Sequence, residues 1–172
     1  VAQALGRGER GAADAVARAA MGASSWLGVS IALASLALAE PMLRALNTPA
    51  SLVPGAALLL QWLAPALLLD AWNATQSSVM RAHLRGRDVL RVIVAMQALQ
   101  LALAALLMPR LGLGGFALAL LASRALGFAL HLWLWRERLG VGPRGGYWWR
   151  LPRRELGPML AIGAPGAAEN IL

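Results

Sequence analysis

Apolar positions in this chain mostly do not recur with the 3.6-residue period of a helix that keeps one face in water; they run on in blocks. Residues 19–39 carry no charge over 21 positions, which as α-helix spans about 31 Å against a bilayer core of about 30 Å. Residues 45–69 give 25 uncharged positions, followed by Asp70 and ten more to Met80. A block of 18 follows at 92–109, and one of 25 at 111–135, broken by Arg124 and containing His131. A fifth run begins at Leu156. Residues 31–39, IALASLALA, have no polar face with which a buried helix of a soluble bundle would meet water. The pattern therefore predicts an all-α, polytopic membrane bundle with spans at about 19–39, 51–80, 92–109 and 111–135, and the beginning of a fifth.

Composition strengthens that expectation. Hydrophobic residues make up 59% of the 172 positions and charged residues 14%, where a soluble domain carries about a quarter charged residues. Disorder and an ordinary soluble enzyme are both excluded. The 16 basic residues are all arginine, against eight acids, for a net charge of +8. In a soluble protein that excess would point to nucleic acid. Here the arginines sit in short clusters between apolar blocks, with no stacking aromatics interleaved, so no nucleic-acid partner is expected.

The clusters instead orient the chain. Successive connections carry three arginines (Arg7, Arg10, Arg18), one (Arg44), four (Arg81, Arg85, Arg87, Arg91), one (Arg110) and six (Arg136, Arg138, Arg144, Arg150, Arg153, Arg154). By the positive-inside rule both ends of the segment are expected on the cytoplasmic side of an inner or plasma membrane. Trp133 and Trp135, with Trp148 and Trp149, flank the last connection and are expected at headgroup level. The glycine-rich stretch at 140–146 divides the spans, residues 1–138, from a linker at 139–155 and a further helix starting at 156–172. The chain opens at Val1 without methionine and stops inside an apolar run, so it is expected to be an internal piece of a longer protein. No signal peptide is visible, and cysteine is absent, so there is neither a disulfide framework nor a thiolate metal site.

Ionisable residues at membrane depth are expensive and usually face protein or water. Asp70 precedes Arg81 by eleven positions, about 16 Å of helix, and Arg124 precedes Arg136 by twelve, about 18 Å. Two opposite charges thus lie at nearly equal depth on helices running in the same direction, and they are expected to pair. Such a pair is either a coupling site or a structural device that offsets desolvation. Asp70, Asn73, Ser77 and Arg81 form one polar stripe at spacings of three and four; Gln97 and Gln100 share a face; Ser123, Gly127 and His131 line one side of the fourth span beside Arg124. These stripes either line a watery cavity or supply interhelical hydrogen bonds. His131 is expected to be a tolerated amphipathic residue near the interface, and His83 to be solvated in a basic loop.

Enzyme chemistry finds no support. There is no nucleophile elbow, phosphate loop or catalytic carboxylate pair, and Gly112-Leu-Gly-Gly115 lacks the spacing and strand of a nucleotide site. No metal site is expected either.

Four segments, in order, carry a resemblance. Residues 1–13, VAQALGRGERGAA, are similar to the end of the second helix and the approach to the third in the multidrug and toxic compound extrusion (MATE) transporters. Residues 80–88, MRAHLRGRD, resemble the family's turn between helices four and five, and residues 111–119, LGLGGFALA, the beginning of helix six. Residues 161–172, AIGAPGAAENIL, resemble the start of helix seven. The resemblance implies helices three to six of the N-terminal lobe of a two-lobe, twelve-helix exporter, joined by the inter-lobe linker to the C-terminal lobe, which is the rest of its own chain. It implies export of small cationic or amphipathic compounds across the bilayer by antiport with H⁺ or Na⁺, with no cofactor. Asp70 and Glu169 are then the candidate acids, and Asn73, Gln97, Gln100 and Arg124 the polar lining. Relatives often carry Asn in the fifth helix where this chain has Gln97 or Gln100, a departure from the family's pattern. A lipid-linked sugar flippase of the same superfamily is the alternative within transport, although it calls for several cavity arginines; a non-transporting membrane scaffold is the alternative outside it.

Overall fold

The computed structural model describes residues 1–140 and 149–150, and among these every regular element is helical. A short helix, α1 (Ala2–Gly6), is followed by α2 (Arg10–Ala45), α3 (Val53–Ala82), α4 (Gly86–Leu111) and α5 (Leu113–Leu134), which continues into one π-helical stretch at Trp135–Leu139. The four long helices have mean hydropathies between 1.5 and 2.0 over their most apolar windows, and each is long enough to cross a bilayer.

The helices outrun the apolar blocks. α2 has 36 residues, where the block predicts 21, because the turns before it are rich in Ala and Arg, both strong helix formers. Its far end carries an Arg44–Glu40 ion pair one turn apart. α4 begins at Gly86, ahead of its apolar run, with Asp88 in its first turn held by Arg91 at 3.3 Å and Arg85 at 3.7 Å. An acid there faces the positive end of the helix dipole. Charge marks the ends of the lipid-compatible stretch, not the ends of the helix.

Turn chemistry sets the reversals. α2 and α3 both finish with an amide bonding five residues back, Thr48 to Leu43 and Arg85 to Met80. The residue before each takes a left-handed conformation, Asn47 at φ 55° and Leu84 at φ 59°. Between α4 and α5 a single residue makes the turn: Gly112, at φ 56° and ψ −134°, in a region that only glycine occupies freely.

Sequence neighbours are not all spatial neighbours. α2 packs on α3 and α4 on α5, while α5 returns to α3; α3 and α4 meet only slightly. The order across the bundle is thus α2, α3, α5, α4, with α3 and α5 parallel. The main apolar cluster (including Met21, Met80, Val92, Met96 and Trp135) sits toward the arginine-rich end. Leucines such as Leu33, Leu101 and Leu106 point outward, as lipid-facing positions do. Trp149 also meets the bundle: its carbonyl accepts a hydrogen bond from Trp26 Nε1 at 3.0 Å, and the two rings meet edge to face at 6.1 Å.

Trp135 departs from the expected headgroup position. It is 4% exposed, and its indole Nε1 donates to the Gln76 carbonyl at 3.3 Å. The shift to π-helical winding begins at this residue, beside the buried anchor. Trp133, by contrast, is 56% exposed and free to lie at the interface. Trp148, most of the linker expected at 139–155, and the helix expected at 156–172 lie outside the described residues.

Candidate polar site between the third and fifth helices

Because α3 and α5 run parallel and in register, residues 54 positions apart meet. Arg124 Nε lies 2.7 Å from Asp70 Oδ1, and Ser77 Oγ lies 3.0 Å from His131 Nε2. Between these contacts Asn73 Nδ2 donates to the Arg124 carbonyl at 3.0 Å, and Asn73 Oδ1 lies 3.3 Å from His131 Nδ1. The same ring nitrogen is 2.9 Å from the Gly127 carbonyl. A continuous chain of polar contacts therefore runs from Asp70 to Ser77, two turns of α3.

Burial is graded along it. His131 is 1% exposed, Asn73 6% and Ser77 7%, whereas the Asp70 side chain is 46% exposed and that of Arg124 20%. The dry end of the chain is hydrogen-bonded; the open end is charged. Arg124 Nε makes no well-aligned hydrogen bond, so its contact with Asp70 is an ion pair held by charge and proximity.

Of the candidate residues, the structure brings Asp70, Asn73 and Arg124 together. Gln97 and Gln100 lie on α4: Gln97 is exposed, Gln100 is half-buried with its Oε1 unpartnered, and neither bonds to the Asp70 group among the described residues. Glu169 lies outside the described residues. Ser123 is buried and donates to the Leu120 carbonyl at 2.8 Å, an arrangement within its own helix.

His131 is a correction. It is not a residue merely tolerated at the interface but one of the most completely buried side chains, with both ring nitrogens engaged. The signal for it was available: Ser77 precedes Arg81 by four positions and His131 precedes Arg136 by five, the same near-equality of depth that pairs Asp70 with Arg124. Gln76 had no such signal. It is fully buried, and neither atom of its amide has a hydrogen-bond partner among the described residues. His83 is half-buried beside Asp14 and Arg138 in an open cleft at the arginine-rich end. Among the described residues no group of three His, Cys, Asp or Glu is placed to hold a metal ion.

Residues 1–106, more than half of the chain, match the family model described as MatE. None of the curated proteins and none of the solved structures matches the chain.

Proposed function

The chain belongs to the MatE family of membrane transporters, and from that premise we propose that it is part of an exporter of cationic or amphipathic compounds driven by exchange for H⁺ or Na⁺. Asp70 is the acid for which cargo and coupling ion compete. The observation that supports this most is the half-open ion pair at mid-membrane depth. Placing a charged side chain at the centre of a lipid-facing helix costs about 3 kcal/mol, so the open side of Asp70 faces water or further protein rather than acyl chains. Arg124 occupies one side of the carboxylate and leaves the other accessible.

Exchange follows from that arrangement. A cation arriving from the open side competes with the guanidinium for one carboxylate. A proton removes the negative charge altogether, and with it the attraction for a cationic cargo. Each ligand thus lowers the affinity for the other by the same factor, which is the thermodynamic content of antiport. Asn73 contributes by holding the Arg124 backbone. A lipid-linked sugar flippase would need several arginines along its cavity; among the described residues the one arginine deep within a span, Arg124, is paired with Asp70.

The test is Asp70→Asn in the full-length protein, reconstituted in liposomes with an imposed H⁺ or Na⁺ gradient and a fluorescent organic cation as cargo. The expected result is at least a tenfold drop in gradient-driven transport, with loss of its pH and Na⁺ dependence. Transport with unchanged rate and ion dependence would remove Asp70 from the mechanism.

A further inference from the structure

His131 lies one step beyond the ion pair, and for the neutral ring its hydrogen bonds admit a single consistent assignment. Its Nδ1 faces two oxygens, the Gly127 carbonyl and Asn73 Oδ1, so Nδ1 carries the hydrogen. In the neutral ring Nε2 is then an acceptor, and the Ser77 hydroxyl donates to it. That assignment dictates the orientation of Asn73. With the amide as placed, its oxygen meets the imidazole N–H and its nitrogen meets the Arg124 carbonyl. Flipped, it would set donor against donor at His131 and acceptor against acceptor at Arg124. Both ends of Asn73 are committed, and the site is too dry for water to take over either contact: His131 is 1% and Asn73 6% exposed.

We propose that His131 is a positioning residue for the Asp70–Arg124 pair: the neutral imidazole fixes the orientation of Asn73, and Asn73 fixes the peptide from which Arg124 reaches Asp70. The inference rests on the reading of Asp70 as the cargo-binding acid for its consequence in transport, but not for its structural content. Arg124 competes with a cationic cargo for one carboxylate. Loosening its anchor therefore weakens the competitor, so the cargo binds more tightly and leaves more slowly. Removing the imidazole is expected to lower the Kd for an organic cation about fivefold, the equilibrium weight of one neutral hydrogen bond, with a matching fall in maximal transport rate.

The experiment uses the full-length protein in nanodiscs, with ethidium as the cationic probe and two readouts. One is the ethidium Kd. The other is the carboxylate infrared band of Asp70, identified by difference against Asp70→Asn, which reports the ion pair whether or not Asp70 serves transport. His131→Leu should shift the Asp70 band and lower the Kd about fivefold. His131→Asn keeps a donor where Nδ1 stands and should restore both to within about twofold of the parent. In an Arg124→Gln background His131→Leu should change the Kd no further, because the residue acts through Arg124.

Three results would overturn the proposal: an Asp70 band unmoved by His131→Leu, equal effects with and without Arg124, or failure of His131→Asn to rescue. Should His131→Leu fail to fold, Asn73→Ala carries the test. It cuts the link between the imidazole and the Arg124 carbonyl, and an unmoved Asp70 band in that variant overturns the proposal equally. A shifted band with an unchanged Kd would uphold the positioning role and count against Asp70 as the cargo acid, so the two readings fail separately.

Discussion

The two faces of α5 are held by different physics. Toward α4 the contact is steric: a Cβ on Gly127 would collide with Met96 Sδ, so the thioether fills the notch that glycine leaves. Toward α3 the contact is polar, the run of bonds from Ser77 through His131 and Asn73 to Arg124 and Asp70. Gly127 serves both faces, with its missing side chain admitting Met96 and its carbonyl accepting from His131. Lipid tails are as apolar as leucine, so close packing and interhelical hydrogen bonds, rather than the hydrophobic effect, bring such helices together. A steric seam specifies distance between helices. A polar seam also specifies rotation and register, since a shift of one residue would turn Asp70 and Asn73 away from their partners. The ion pair and the buried histidine both lie on the seam that fixes register.

The largest structural effect expected from breaking this contrast comes from Gly127→Leu, which fills the notch. Overpacking at that contact is expected to cost about 3 kcal/mol, read as a lower midpoint when the folded protein is titrated with a denaturing detergent. Adding Met96→Ala should recover most of the loss if the notch is the cause. Next comes Asn73→Ala, which cuts the polar seam at its centre by removing the interhelical bond to the Arg124 carbonyl and one of the two acceptors facing the imidazole N–H. About 2 kcal/mol is expected by the same titration, with α4 and α5 still packed together, as a cysteine cross-link between those helices would report. Ser77→Ala removes the last bond of the seam and should cost about 1 kcal/mol. Smallest of all is Arg44→Ala. Its ion pair with Glu40 is exposed on both sides, and less than about 0.5 kcal/mol is expected. A loss at Arg44 as large as that at Ser77 would mean that the polar seam has no special weight.

The relation between depth and contact was partly legible. Counting from the flanking arginines put Asp70 and Arg124 at the same level on parallel helices, and the two do pair, because a charge in that setting has few other ways to offset its desolvation. The same count applied to Ser77 and His131 gives an equally good match. It points there less forcefully, since a hydroxyl and a neutral imidazole near a membrane interface have water as an alternative partner. Gln97 and Gln100 share a helical spacing with no bearing on which neighbour they meet, and α4 turned out to pack on α5 while barely meeting α3. Trp135 illustrates a different limit. Indole rings generally favour the headgroup region, but a carbonyl one helix away, that of Gln76, binds this one in the core.

Taken alone, the sequence determined the four helices that, among the described residues, are long and apolar enough to cross a membrane, and the family to which residues 1–106 belong. These follow from local quantities: the length of an uncharged run and a short motif. Tertiary structure decided the order α2, α3, α5, α4, the burial of His131 and Trp135, and the commitment of both ends of Asn73. An apolar helix presents several nearly equivalent faces to its neighbours, and hydropathy does not rank them. That choice is made by where a glycine lets a thioether in and where donors and acceptors on two helices fall into register.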